Sequence, residues 1–159
     1  MLVFKTTNFK QTKDLAKLLA RAVLGERKIN NEKALVLALS GELGGGKTTF
    51  AQGFIRGAEI RKKITSPSFT IVKNYKIKRH KDYKKIYHID CYRLKKVREL
   101  LDLGLREILS NPQNIVLVEW PEIIKKYLSA GKAGLPKNII KIKFKHGKRE
   151  NERTIDFLI

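Results

Sequence analysis

The chain has 159 residues, which suits one domain over residues 1–159, and its 35 lysines and arginines exceed 15 acidic residues to give a net charge of +20. This charge favours association with a polyanion such as nucleic acid, although lysines spread over every segment are equally explained by surface composition. One cysteine excludes an internal disulfide, and the lack of a ~20-residue apolar run or a secretory signal predicts a cytoplasmic protein.

The first periodic segment is TKDLAKLLARAV (12–23), whose leucines recur at helical spacing. It predicts a helix with Thr12 as a possible N-cap. The short apolar run ALVLAL (34–39) then predicts a buried strand, and TTFAQGFIRGA (48–58) predicts a second helix.

A glycine-rich segment, SGELGGGKTTF (40–50), joins that strand to that helix. Gly41, four further residues and then Gly46-Lys47-Thr48 fit the phosphate-binding pattern G-x-x-x-x-G-K-[ST]. Glycines let main-chain N–H groups converge on an anion, Lys47 can reach outer phosphates, and the Thr48 hydroxyl can ligate Mg²⁺. The alternative is a flexible glycine turn with an incidental lysine.

The middle of the chain alternates strand and helix patterns. FTIVKNYKI (69–77) and KKIYHID (84–90) predict two strands, joined by the basic connector KRHKDYKK (78–85). VRELLDLGLREIL (97–109) carries apolar residues on one face and predicts a single amphipathic helix.

The uninterrupted apolar run NIVLVEW (114–120) is typical of a central parallel strand, and it ends in Glu119. Ligands of open α/β sheets bind at the carboxyl ends of the strands. A carboxylate there can hold Mg²⁺ or its water. The alternative is a solvated acid before the helix PEIIKKYL (121–128), with Pro121 at its first position.

The last segment alternates apolar and basic residues from Ile140 to Lys145, turns at HGKREN (146–151) and ends in a second alternating run, Ile155 to Ile159. This predicts a C-terminal β-hairpin. The whole pattern predicts an α/β, P-loop NTPase-like three-layer fold: a mainly parallel sheet with added antiparallel strands.

Four blocks stand in fixed order: GELGGGKTTF, ITSPSFTIVKNY, YHIDCYRL and LVEWPE. Together they resemble the TsaE family (older name YjeE), the small ATPase of bacterial tRNA threonylcarbamoyladenosine (t6A) synthesis. The resemblance spans nearly the whole chain. It implies ATP and Mg²⁺ as cofactors, the TsaD and TsaB subunits of the threonylcarbamoyl transferase complex as partners, and tRNA contacted directly or through that complex, with no membrane.

The resemblance also implies functional residues. It makes Lys47, Asp90 and Glu119 catalytic, and it makes Thr48 and Glu119 the Mg²⁺ ligands. It gives His88 no catalytic role. The nucleotide-contacting set is Phe9 and Thr12 at the adenine, Gly41, Glu42, Leu43, Gly44, Gly45, Gly46, Lys47, Thr48 and Thr49 at the phosphates, Thr65 and Ser66 in a nucleotide-sensing segment, and Gly147 with Lys148 or Arg149 in a further contact region.

Three classes of function stay open from the residues: a partner-dependent ATPase, a small-molecule kinase, and a basic nucleic-acid-binding module with a passive phosphate site. A kinase should carry a lid with several arginines, and none is apparent in the sequence. A passive binder has no need for both Thr48 and a strand-end acid. Since no arginine lies in a motif that resembles an internal arginine finger, we expect slow turnover that partners stimulate.

Overall fold

A computed structural model describes residues 1–25, 32–60, 64, 67, 70–125 and 138–158. The strands are β1 (Leu2–Thr6), β2 (Leu35–Gly41), β3 (Val72–Lys76), β4 (Lys85–Asp90), β5 (Asn114–Glu119), β6 (Ile139–His146) and β7 (Arg153–Leu158). The helices are α1 (Phe9–Gly25), α2 (Lys47–Gly57), α3 (Val97–Asp102) and α4 (Leu105–Ser110), and a 3₁₀ turn follows β5 at Pro121–Ile124.

All seven strands form one sheet in the order β1-β7-β6-β2-β5-β4-β3. The four central strands, β6, β2, β5 and β4, are mutually parallel. β3 pairs antiparallel with β4, β7 with β6, and β1 with β7. The predicted mainly parallel sheet with a C-terminal hairpin is therefore confirmed. No helix in the described ranges is both long and apolar enough to span a bilayer.

Two apolar cores cover the two faces of the sheet. Along β2, Leu35, Leu37 and Leu39 pack into the core beneath α1 and α2, whereas Val36 packs into the core beneath α3 and α4. This alternation is expected of a strand buried on both sides. It produces the predicted three layers and leaves the carboxyl ends of the parallel strands together at one edge.

The beginning of the chain differs from the prediction. Thr12 is not the N-cap of α1, because the helix begins at Phe9 and the Asn8 carboxamide oxygen accepts the Gln11 N–H at 2.9 Å. Thr12 lies one turn inside, where its hydroxyl bonds the Thr6 hydroxyl at 2.8 Å. The strand β1 was not predicted, since four of its five residues are exposed and only β7 pairs with it.

The predicted helix over residues 97–109 is wrong in one respect: it is two short helices, α3 and α4. Gly104 adopts a left-handed φ of 81°, which ends the first helix and starts the second. The apolar positions still reach the core, because Leu100, Leu105 and Ile108 are buried on the same side of the sheet. After β5, Pro121 does occupy the first position, of a 3₁₀ turn rather than an α-helix; residues 126–128 of the predicted helix lie outside the described residues.

Helices α1 and α2 run parallel and touch through glycine. A Cβ added at Gly53 would lie 2.6 Å from the Lys13 carbonyl oxygen and 3.0 Å from the Ala16 Cβ. One turn further, a Cβ at Gly57 would lie 2.8 Å from the Ala20 Cβ. These glycines therefore let the two backbones approach more closely than any side chain would allow.

We expect Gly53→Ala to destabilise the protein by about 1–2 kcal/mol. Forced separation of the helices costs about 1–3 kcal/mol, and the better helix propensity of alanine returns at most about 1 kcal/mol. Gly25→Ala is the matched control, because a Cβ there meets nothing within 4 Å. Urea unfolding followed by circular dichroism measures both variants, and equal midpoints for the two would contradict this account of the packing.

Candidate functional site

The glycine-rich loop runs from the end of β2 to the start of α2 at the carboxyl edge of the sheet. Gly41, Gly44 and Gly46 have φ values of 134°, 72° and 100°, which L side chains rarely adopt. At Gly41 a Cβ would also lie 2.3 Å from the Phe144 carbonyl oxygen. Backbone conformation and close packing therefore both require glycine here.

Lys47 is the first residue of α2, and its side chain folds back over the loop. The ammonium donates to the carbonyl oxygens of Gly41 and Glu42, each at 2.7 Å, and it lies 3.9 Å from the centroid of the Trp120 ring. Burial lowers the Lys47 pKa, and the nearby carboxylates of Glu119 and other acids partly oppose that shift. The lysine ammonium is thus held over the loop by two carbonyl oxygens of the loop backbone.

The loop is joined to the end of β5 by a short chain of hydrogen bonds. The Thr48 hydroxyl donates to Glu119 Oε2 at 2.8 Å, and the other carboxylate oxygen, Oε1, lies 2.7 Å from His88 Nε2. An ionised carboxylate only accepts, so the proton of this contact is on His88 Nε2. Both Glu119 and His88 are buried.

The sequence analysis gave His88 no role, yet the structure places its Nε2 2.7 Å from Glu119. In the described part of the chain, His88 Nδ1 is the one buried side-chain nitrogen or oxygen without a hydrogen-bond partner. Leaving such a group unpaired costs about 1–3 kcal/mol. The side chain is therefore better explained by its contact with Glu119 than by core stability. Its position two residues before Asp90, on the same face of β4, was the available signal.

Asp90 and Glu119 lie side by side, because they are register partners at the ends of β4 and β5. The Asp90 carboxylate accepts the Tyr92 N–H at 3.0 Å. Cys91, between Asp90 and Tyr92 in the chain, is fully buried, and burial raises its pKa to about 12. It therefore packs as a small apolar residue rather than as a nucleophile.

The C-terminal hairpin supports the loop from the other side. The Arg153 guanidinium donates to the Gly44 carbonyl oxygen from Nη2 at 3.0 Å and from Nε at 3.3 Å, and His146 Nε2 lies 3.1 Å from the Leu43 carbonyl oxygen. Arg153 also donates to the carbonyl oxygens of Glu150 and Glu152. Sequence spacing carries no signal for this contact, because 109 residues separate Arg153 from Gly44.

Other predicted site residues lie around this loop. Thr12 is buried, with its methyl group 3.9 Å from a Cβ built at Gly46, and Phe9 is 56% exposed at the start of α1. Within the loop, Glu42, Leu43 and Gly44 are exposed, Gly45 donates its N–H to the Glu42 carbonyl, and Thr49 is half-buried in the first turn of α2.

Gly147 and Arg149 belong to the turn of the β6–β7 hairpin. The Gly147 N–H donates to the Glu152 carbonyl at 2.7 Å, and the Arg149 carbonyl accepts the Glu152 N–H at 3.0 Å. A Cβ at Gly147 would lie 2.4 Å from Glu152 Cγ. These contacts shape the turn whose base, at His146 and Arg153, reaches the glycine-rich loop.

Thr65 and Ser66 lie outside the described residues. The chain that follows them is tied to the site, because the Pro67 carbonyl accepts the N–H groups of Thr70 and Ile71, and the Ile71 carbonyl accepts the Asp90 N–H at 2.9 Å. Ile71 has a left-handed φ of 59°, which is strained for a β-branched residue. The segment leading into β3 therefore ends against the same edge as Asp90.

The donor set fits a magnesium ion. Mg²⁺ prefers oxygen ligands and is usually bound through one or two carboxylates together with phosphates. Thr48 supplies a hydroxyl and Glu119 a carboxylate, and these two groups already touch beside Lys47 and the loop. A glycine-rich loop between a parallel strand and a helix, with this lysine, threonine and strand-end acid, defines a P-loop nucleotide-binding protein.

Comparisons with known proteins agree with this class. Residues 6–155 match the family described as "Threonylcarbamoyl adenosine biosynthesis protein TsaE". The "tRNA threonylcarbamoyladenosine biosynthesis protein TsaE" of Bacillus subtilis is 37% identical over 157 residues, covering 98% of this chain and 84% of its own length. The protein of the same name from Rickettsia felis is 39% identical over 123 residues, covering 77% of this chain and 64% of its own length.

The fold has a solved counterpart as well. The crystal structure of Bacillus subtilis YdiB aligns with a TM-score of 0.65 and 31% sequence identity, over 98% of this chain and 83% of that one. The chain belongs to the TsaE family.

We expect Arg153→Met to weaken nucleotide binding about tenfold, a loss of about 1.4 kcal/mol, because methionine fills the space but cannot hold the Gly44 carbonyl. The matched control is Lys143→Met, which removes one positive charge from an exposed position of β6. Calorimetric titration with a non-hydrolysable ATP analogue and Mg²⁺ gives both affinities. Unchanged affinity in Arg153→Met would show that the loop keeps its shape without this contact.

Proposed function

We propose that this chain is the ATP-hydrolysing subunit of the machinery that forms threonylcarbamoyladenosine in tRNA. Membership of the TsaE family and the names of its relatives support the pathway. The observation that carries the hydrolytic role is the contact between Thr48 and Glu119, because it joins the phosphate loop to a strand-end carboxylate. A protein that only held phosphate would need the loop and Lys47 alone.

In this proposal, Lys47 supplies positive charge to the outer phosphates, and the loop N–H groups bind them. Thr48 and Glu119 would hold Mg²⁺, which when bound neutralises phosphate charge. Asp90, next to Glu119 at the sheet edge, orients a water molecule or accepts its proton. Phe9 and Thr12 on one side, and Gly147 and Arg149 on the other, are proposed to flank the nucleotide.

We assign His88 the role of a positioning residue. Its Nε2–H holds one oxygen of Glu119 at 2.7 Å, so the carboxylate keeps one orientation toward Thr48. A metal-binding carboxylate whose orientation is fixed by a second hydrogen bond loses less freedom when the ion arrives. His88 itself is fully buried and is not proposed to contact the nucleotide.

We propose that the chain is one P-loop ATPase domain that depends on the TsaD and TsaB subunits for turnover. Charge on the phosphoryl group in the transition state is commonly neutralised by an arginine finger, which contributes ~10³–10⁵ in rate. Arg153 lies beside the loop, but its guanidinium is already engaged with three backbone carbonyls. This engagement supports an activating group supplied by a partner. The alternative is a partner that acts through the nucleotide-sensing segment of Thr65 and Ser66.

Glu119→Gln separates binding from hydrolysis. The amide oxygen can accept from His88 while the amide group donates to Thr48, so the shape of the site survives and only the negative charge is lost. We expect ATP affinity to stay within about threefold and turnover to fall at least about tenfold. Lys47→Ala is the contrasting variant, and it should lose most of its ATP affinity. Equal turnover in Glu119→Gln and the unaltered protein would remove the carboxylate from the proposed metal site.

The proposed function is tested by steady-state ATP turnover of the chain alone and with purified TsaD, TsaB and tRNA. We expect very slow hydrolysis alone and at least about a tenfold rise with the partners, because they complete the charge neutralisation. Formation of threonylcarbamoyladenosine in the same mixture should require this chain. Rapid hydrolysis without partners and no rise on their addition would point to an independent ATPase or a kinase instead.

A further inference from the structure

A large basic groove lies apart from the phosphate loop. Its volume is about 1220 Å³, and it is formed by the ends of α1 and α2, the strand β3 and the connector after it. Among the described residues, the charged groups that line it are five cations and one acid: Arg21, Arg56, Lys76, Lys78, Arg79 and Glu59. All six are exposed.

The groove occupies the edge of the sheet opposite to the nucleotide site. Lys76 is the register partner of Lys85 at the beginning of β4, whereas Asp90 at the end of β4 belongs to the nucleotide site. Helix α2 starts at the phosphate loop and has 11 residues, so its far end lies about 16 Å away at 1.5 Å per residue. A ligand in the groove therefore does not compete with nucleotide for the loop.

The walls of the groove are held in place by hydrogen bonds. His80 Nδ1 accepts the N–H groups of Asp82 and Tyr83 at 3.1 and 2.9 Å, so its Nε2 carries the proton and donates to the Leu24 carbonyl at 2.8 Å. This histidine ties the connector after β3 to the end of α1. Arg56 similarly donates to the Ile60 carbonyl at 3.2 Å, which fixes the end of α2.

The chemistry of the lining selects one type of partner. In the described lining, five cations face one acid, and a volume above the ~300–1,000 Å³ of small-molecule pockets fits an extended polyanion. The tyrosine of the lining, Tyr75, is only 6% exposed, so it offers no ring on which an unpaired base could stack. The other ring of the described lining, His80, is half-buried and is held by hydrogen bonds at both nitrogens, so this lining favours contacts to phosphates over stacking on bases.

We propose that this groove binds the sugar-phosphate backbone of a folded RNA helix. The inference rests on the proposed function, because tRNA is the phosphate-rich macromolecule of that pathway. Long-range attraction from the net charge of +20 brings the RNA to the protein, and the fixed groove determines where it lies. Nucleotide and RNA thus occupy opposite edges of the same sheet.

The test replaces the four cations whose side chains can be changed without breaking a described hydrogen bond: Arg21, Lys76, Lys78 and Arg79, all to Gln. Arg56 is kept because it fixes the end of α2. The matched control changes four exposed lysines away from the groove, Lys5, Lys96, Lys141 and Lys143, to Gln. Both variants carry the same net charge, and thermal unfolding confirms that both are folded.

Fluorescence anisotropy with a labelled tRNA transcript, and with a short RNA duplex, is measured between about 50 and 300 mM KCl. We expect the groove variant to bind both RNAs at least about tenfold more weakly, with a salt slope lower by about 3, since each phosphate contact contributes about 0.7–0.9. The control should bind like the unaltered protein. These measurements need no ATP, so their outcome does not depend on whether partners stimulate ATP turnover.

Equal losses of RNA affinity in the two variants would overturn the proposed binding site and would leave only non-specific attraction by the net charge. Unchanged RNA binding in the groove variant would also overturn it. So would a groove variant that keeps RNA but loses binding to vesicles containing phosphatidylglycerol, because the groove would then serve an anionic lipid surface.

Discussion

The hydrogen bond between Thr48 and Glu119 depends on the whole central sheet. The two residues are 71 positions apart, and they meet because β2 and β5 are adjacent, parallel and paired so that Leu39 lies opposite Glu119. The loop must then turn back sharply enough for α2 to start beside the end of β5. Its glycines with positive φ make that turn, and Lys47 holds it through two loop carbonyls. Any shift of register would separate the hydroxyl from the carboxylate.

Two acidic residues lie side by side at this edge of the sheet, although the chain as a whole is strongly basic. The chain carries +20, yet Asp90 and Glu119 are both buried next to each other and face Lys47. Buried carboxylates are costly unless hydrogen bonds satisfy them, and here Thr48, His88 and the Tyr92 N–H do so. A protein of net charge +20 thereby keeps two adjacent buried carboxylates at this edge of the sheet.

Elements from both ends of the chain complete the site. The hairpin of β6 and β7 places Arg153 and His146 on the loop carbonyls, and α1 places Thr12 against Gly46. The close packing of α1 on α2 through Gly53 and Gly57 fixes the second half of α2. Helix α2 thus runs from the nucleotide site to the basic groove.

The sequence by itself determined the local features: the glycine loop, the buried strands, the hairpin and, through four ordered motifs, the family. These are set by short-range physics, in which φ preferences and the period of apolar residues are visible within ten positions. It did not determine β1, the break at Gly104 or the true cap at Asn8. Nor did it reveal that His88 holds Glu119, that Arg153 holds the loop, or that Lys76, Lys78 and Arg79 share a groove with Arg21. Each of these depends on which strands are neighbours and in what register, and that is decided by packing two apolar faces of one sheet at once. Only the tertiary structure contains this information, because the residues concerned are separated by tens of positions along the chain.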